Sequence, residues 1–331
     1  MTKTEASSKV NTLAESLANG DRRALARAIT LVESTRASDL KASEELLTAL
    51  LPKTGNSVRI GISGAPGAGK STFIEAFGKY LTGTGHKVAV LAIDPSSRRS
   101  GGSILGDKTR METLARDPNA FIRPSPAGDT LGGVARRTRE TMLLAEAAGF
   151  DVVLIETVGV GQSETAVADM TDLFVLLQSP GGGDDLQGIK RGVMELADLL
   201  LVTKADGDLI PAARRAAADF HGALHLMRPK HDGLEPAVKM VSALQGEGIV
   251  EVWAAVKAIH DALAADGRLA RLRQDQARRW FWTEVETAVR EAVLGDPETA
   301  REAAKLERSA AAGRVLPFAA ARALVTRLRP A

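Results

Sequence analysis

"GISGAPGAGKST", residues 61–72, decides the fold. It follows the apolar run "VRIGIS" at 58–63 and leads into a helix, so it reads as a strand-to-helix turn. Gly64, Gly69, Lys70 and Ser71 fit the pattern G-x-x-x-x-G-K-[ST]. Glycines let the backbone wrap closely around an anion, because no side chain stands in the way. The N–H groups of the turn and of the helix start then face phosphate oxygens. The candidate phosphate site is therefore Gly64, Ala65, Pro66, Gly67, Ala68, Gly69, Lys70, Ser71 and Thr72. Lys70 is expected to neutralise β/γ-phosphate charge, and the Ser71 hydroxyl to hold Mg2+.

Outward from this turn, short apolar runs alternate with helical stretches: "KVAVLAI", "DVVLIE", "LFVLLQ", "LLLVT" and "VKMVS". Continuous apolar runs separated by helices indicate parallel strands covered on both faces. The expectation is an α/β, doubly wound, mostly parallel P-loop domain over 57–262 with helical extensions at both ends. Ligands of such sheets sit at the carboxyl ends of the strands. Residues 1–56 read as helical. Asp21 can cap a helix carrying Leu25, Ile29 and Val32, and "EELLTALLP" suggests another that stops near Pro52. Residues 263–331 read as helical too. Trp282, Val285, Val289 and Val293 mark one face, and Pro317 can open a last helix. Trp280, Phe281 and Trp282 are consecutive, so one helix face cannot hide all three; core packing and an intersubunit contact both stay open.

Acidic residues at neighbouring strand ends are candidate metal ligands: Asp94 after "VAVLAI", Glu156 at the end of "DVVLIE", and Asp107 in "GGSILGDKTRM". Glu156 stands at a Walker B position, and the Gly159 N–H can meet a γ-phosphate. Magnesium keeps several waters in such sites, so the carboxylates can act through water. Thr203, Lys204 and Asp206 in "LLLVTKADG" stand where GTP-binding proteins usually place Asn-Lys-x-Asp. A carboxylate at Asp206 would accept hydrogen bonds from guanine N1–H and its exocyclic amine, which adenine cannot offer. Lys204 would lie along base and ribose. Thr203 departs from the usual Asn and reaches less far. Ser242, Ala243 and Leu244 offer a backbone contact to the base oxygen. GTP, GDP and Mg2+ are the expected ligands.

Composition narrows the partners. With 43 Lys+Arg against 41 Asp+Glu, the net charge of +2 argues against a dedicated nucleic-acid binder. The chain has no cysteine, which removes disulfides and thiolate metal sites and fits a reducing compartment. No signal-type N-terminus and no membrane span is legible, so a cytoplasmic protein is expected.

"GAPGAGKST", "DPSS…GGSILGDKTRM", "RPSPAGDTLGGVARRTRE", "IETVGVGQSE" and "GGGDDLQGIKRGVMELAD" together resemble the methylmalonyl-CoA mutase-associated GTPase chaperones. Members of this family were formerly called lysine/arginine/ornithine transport kinases, and it is similar to other dimeric SIMIBI-type GTPases. The resemblance implies a homodimer that uses GTP to gate cofactor loading on an adenosylcobalamin-dependent mutase and to protect or reactivate it. Methylmalonyl-CoA mutase is the expected partner, with related acyl-CoA mutases possible. It also implies switch I at 94–111, switch II at 156–164 and a third switch at 178–190. In that third switch, Lys190 is expected to reach developing charge at the γ-phosphate when the mutase docks. Two departures stand out: Arg98, Arg99 and Ser100 replace Pro-Phe-Thr of many relatives, and Ala127, Gly128 and Asp129 replace a more serine-rich form.

Three rival readings remain open. A nickel-insertion GTPase shares the architecture, and His221 and His225 stand four apart, but a third ligand is not evident. A small-molecule kinase would need an acceptor pocket that the sequence does not supply. A nucleotide-dependent binding module would differ by lacking meaningful turnover.

Overall fold

The computed structural model describes residues 3–34, 36–93, 111–124, 131–157, 163–180 and 191–327. Three helices open the chain: α1 (Lys3–Ala18), α2 (Arg22–Val32) and α3 (Ala37–Leu50). Asp21 caps α2 as expected, its Oδ1 accepting from Arg23 N at 2.7 Å and Ala24 N at 3.3 Å. Leu25, Ile29 and Val32 are the buried face of that helix.

The α/β region then runs β1 (Val58–Gly64), α4 (Lys70–Gly83), β2 (Val88–Ile93), α5 (Glu112–Ala115), β3 (Ala120–Arg123) and α6 (Leu131–Ala147). It continues with β4 (Val152–Thr157), α7 (Ser163–Ala168), β5 (Leu173–Gln178), α8 (Arg191–Met194), β6 (Leu199–Val202), α9 (Ile210–His225), β7 (Ala237–Met240) and α10 (Ile249–Ala265). Among the described residues seven strands form one sheet in the order β3-β2-β4-β1-β5-β6-β7, and every pairing is parallel. The fold class read from the sequence is therefore the one observed. The six anticipated strands are all present. β3, sequence AFIR, is an additional strand on the edge beside β2.

The four central strands β1, β2, β4 and β5 are buried almost throughout, which is why their sequences run apolar without alternation. On one face, Phe73 and Phe77 of α4 stack with centroids 5.3 Å apart, and Trp253 of α10 meets Phe77 edge-on. On the other, the initial helices pack on α6.

The chain divides into two compact units, Met1–Arg273 and Gln274–Ala331. The helix α11 (Arg268–Gly295) enters the second unit, which also holds α12 (Pro297–Ala311) and α13 (Pro317–Arg327), packed on each other. Pro317 opens the last helix as expected. Of the aromatic run, Phe281 and Trp282 are 60% and 63% exposed, with Val289, Leu316 and Phe318 also exposed. The anticipated apolar face of α11 is thus not a buried core face among the described residues.

Candidate functional site

β1 delivers the glycine-rich loop to the carboxyl edge of the sheet, between β4 and β5. A Cβ on Gly64 would stand 2.4 Å from the Leu177 carbonyl oxygen, so the loop can hug β5 only with glycine there. Gly69, the N-cap of α4, has φ 86°, a left-handed turn that a side chain disfavours. It brings the unsatisfied N–H groups of the first helical turn to the end of β1. Ala65, Pro66 and Gly67 form the exposed crest of the loop, while Ala68 is buried beneath it.

Lys70 begins α4 and is buried. Its Nζ donates to Gly64 O at 2.8 Å and Ala65 O at 3.2 Å. Burial pushes its ammonium pKa below the ordinary lysine value, while the negative charges of Glu156 and Glu164 work against that drop. The Ser71 hydroxyl lies 3.5 Å from Glu156 Oε1. Strand register explains that approach: Glu156 pairs with Ile62 across β1 and β4, so its carboxylate emerges beside the loop. A hydroxyl and a carboxylate facing one another are the hard oxygen donors that Mg2+ takes, so these residues fit the ion. Thr157, next along β4, donates its hydroxyl to Ser63 of β1 at 2.8 Å and ties the two strand ends together. Asp94, Asp107, Gly159 and Lys190 lie outside the described residues, as do Arg98, Arg99, Ser100, Ala127, Gly128 and Asp129.

Glu164, the last residue of the expected switch II range 156–164, is not among the residues the sequence singles out individually. It is buried in the first turn of α7 and acts electrostatically on Lys70. An acidic residue eight positions after Glu156, at the start of the next helix, was the available signal.

The base-reading candidates gather at the ends of β6 and β7. Lys204 is exposed and has φ 53°, the one positive φ of a non-glycine among the described residues. That conformation costs a residue with a Cβ about 1 kcal/mol or more, and such strain collects at functional loops. It turns the chain so that Ala205 N bonds to Val241 O at 3.1 Å, bringing the two loops together. The Ser242 hydroxyl donates to Asp206 Oδ2 and accepts from Gln245 N at 3.1 Å. This fixes the carboxylate's orientation from one side. Two backbone bonds between Ser242 and Glu247 close the loop around Ala243 and the largely exposed Leu244. The Thr203 side chain points elsewhere: its hydroxyl lies 2.7 Å from Ala68 O and 3.0 Å from Gln178 O.

The two histidines of the nickel reading stand on α9, with His225 Nδ1 3.9 Å from Glu235. Among the described residues no three His, Cys, Asp or Glu side chains form a group that could hold a metal, so that reading gains no support. Nor is any described helix long and apolar enough to cross a membrane.

A family model described as "Methylmalonyl Co-A mutase-associated GTPase MeaB" matches residues 25–298. The Mus musculus protein named "Methylmalonic aciduria type A homolog, mitochondrial" is 49% identical over 322 residues, 94% of this chain and 78% of that one. "GTPase ArgK" of Escherichia coli (strain K12) is 54% identical over 281 residues, 84% of this chain and 85% of that one. A crystal structure titled "LAO/AO transport system kinase" superposes with a TM-score of 0.77 at 40% identity and covers 98% of both chains.

Proposed function

The chain belongs to the methylmalonyl Co-A mutase-associated GTPase MeaB family, and from that premise we propose that it binds GTP at the carboxyl edge of the sheet, hydrolyses it to GDP and phosphate, and controls a B12 enzyme through that cycle. The partner is an adenosylcobalamin-dependent acyl-CoA mutase, with methylmalonyl-CoA mutase the first choice. The protein gates cofactor loading and protects or reactivates the mutase. The observation carrying the nucleotide reading is convergence. Lys70, Glu156 and the Ser242–Asp206 pair come from four separate strand ends, and all belong to the carboxyl edge of one sheet.

In this mechanism the loop N–H groups and Lys70 bind and orient the β- and γ-phosphates. Lys70 is already desolvated and bonded to neutral carbonyls, so phosphate supplies a counter-charge where it counts most. Ser71 and Glu156 would hold Mg2+, which would supply positive charge against the phosphate oxygens. Asp94 and Asp107 are further candidates for that ligand set, Gly159 N–H for the γ-phosphate, and Lys190 for transition-state charge once the mutase has docked. Asp206 accepts from guanine N1–H and the exocyclic amine, Lys204 flanks base and ribose, and the backbone of Ala243 and Leu244 faces the base oxygen.

In the domain reading, 57–262 is the GTPase domain, 1–56 a helical extension, and 263–331 a dimerisation region of a cytoplasmic homodimer. The exposed Phe281, Trp282, Leu316 and Phe318 of the C-terminal unit support the last assignment. The test is phosphate release from GTP and from ATP, with and without a purified adenosylcobalamin-dependent mutase. GTP should be preferred, the mutase should raise the rate, and Lys190→Ala should remove the rise. A rate indifferent to the mutase would remove the partner and leave the GTPase.

A further inference from the structure

The sequence leaves Thr203 as a shortened substitute for a base-contacting asparagine; its surroundings give it a different task. Thr203 is 4% exposed and directly follows β6. Its backbone N–H donates to Gln178 O at 2.7 Å, anchoring it to the last residue of β5. Its hydroxyl has one proton and two carbonyls in range, Ala68 O at 2.7 Å and Gln178 O at 3.0 Å. The shorter contact reaches the floor of the glycine-rich loop, just before Gly69 turns the chain into α4. On the same side, Gly64 presses against the Leu177 carbonyl. The phosphate loop therefore meets the β5–β6 edge at two points, a glycine contact at one end and the Thr203 hydroxyl near the other.

We propose that Thr203 is a positioning residue that fastens the phosphate loop to the base-binding edge, setting how tightly a nucleotide is held without selecting its base. The proposal rests on the reading that the glycine-rich loop and the Lys204–Asp206 loop bind one nucleotide. Without the hydroxyl, the buried Ala68 carbonyl loses its partner and the loop is free to drift from the geometry in which its N–H groups converge.

The experiment measures dissociation constants of GDP, IDP and ADP by calorimetry for wild type, Thr203→Val and Thr203→Ser, each checked for a cooperative nucleotide-free melt. IDP lacks the exocyclic amine, so the GDP/IDP ratio reads base selection alone. Thr203→Val should weaken GDP and IDP together by about tenfold, the effect of one hydrogen bond to a buried carbonyl, with the ratio unchanged. Thr203→Ser, which keeps the hydroxyl, should restore binding to within about twofold of wild type. If the valine variant does not fold, Thr203→Ala against Thr203→Ser provides the same contrast. A valine variant that binds GDP like wild type overturns the proposal, and so does one whose GDP/IDP ratio collapses. A wild type that prefers ADP would sink the guanine reading instead, and equal loss across all three nucleotides would still uphold the role of Thr203.

Discussion

The two ends of the sheet handle charge in opposite ways. At the amino end, buried charge meets opposite charge. Glu146 takes Arg59 in a two-pronged pair at 2.7 and 2.9 Å, plus the Ser57 hydroxyl and Gly55 N–H. Asp172 takes Arg273 at 2.7 and 2.8 Å and the Arg59 N–H at 2.8 Å. Asp198 takes Lys230 at 2.6 Å, the Phe174 N–H at 2.7 Å, and faces His231 at 3.2 Å. At the carboxyl end, Lys70 is bonded to loop carbonyls and Glu156 stands at the edge of reach from Ser71. Satisfied networks stabilise a fold and then have nothing left to offer a ligand. At the carboxyl end Lys70 also feels the charges of Glu156 and Glu164, and in the proposed function a phosphate and a cation join that group. The difference teaches that one scaffold can separate structural from functional electrostatics by strand polarity alone.

Mutations at the two ends should break in different currencies. Asp172→Ala removes the buried carboxylate from the half-buried Arg273 guanidinium and leaves it the Gly55 and Ser57 carbonyls; loss of one partner of a buried pair typically costs about 3–5 kcal/mol. Urea unfolding should show a loss of that size, while nucleotide affinity of the folded fraction stays at the wild-type value. Unchanged stability would mean that the amino-end network is ornamental. Lys70→Ala should do the reverse. GTP turnover should fall by about a hundredfold or more, as when a preorganised charge donor is removed. The melting temperature should hold or rise, since a desolvated ammonium has gone. Turnover surviving that change would contradict the role given to the loop.

Acid should discriminate the ends more gradually. Burial alone would raise the Glu146 and Asp198 carboxyls, but Arg59 for the first, and Lys230 and His231 for the second, hold both below their ordinary values of 4.5 and 3.8. A carboxyl depressed in the folded state contributes its full stability above the unfolded pKa and loses it as pH falls through the folded one. The midpoint of urea unfolding should thus be level above about pH 5 as far as these two groups act, then decline below about pH 4.5. In Glu146→Gln that decline should be shallower; an equal slope would show that the pair does not set acid stability.

Much of this contrast could be read in advance, and what escaped did so for physical reasons. Gly64, Gly69, Lys70 and Ser71 obey a local spacing rule, so the loop, its strand and its helix were legible together. Central strands announced themselves through unbroken apolar runs. β3 did not, because it is four residues long, half-buried on the sheet edge and followed by Pro124. The amino-end network depends on distant partners: Arg273 finds Asp172 across 101 positions, and no local pattern encodes that meeting. Part of it was nonetheless written in the chain. Asp151, Asp172 and Asp198 each directly precede a strand, and each accepts the N–H of a residue at the start of a neighbouring one: Lys87, Arg59 and Phe174. An aspartate before an apolar run was the signal. Thr203 shows the opposite limit, since its position suggested a base contact while its hydroxyl finds a carbonyl 135 positions away.

In the proposed function the carboxyl end reads a guanine nucleotide through Asp206. Calorimetric titration of GDP and XDP into wild type and Asp206→Asn tests it most directly. Wild type should prefer GDP. The asparagine variant should lose GDP affinity and gain XDP, because xanthine presents an oxygen where guanine presents the amine. An Asp206→Asn protein that binds GDP as tightly as wild type and still ignores XDP would contradict the account.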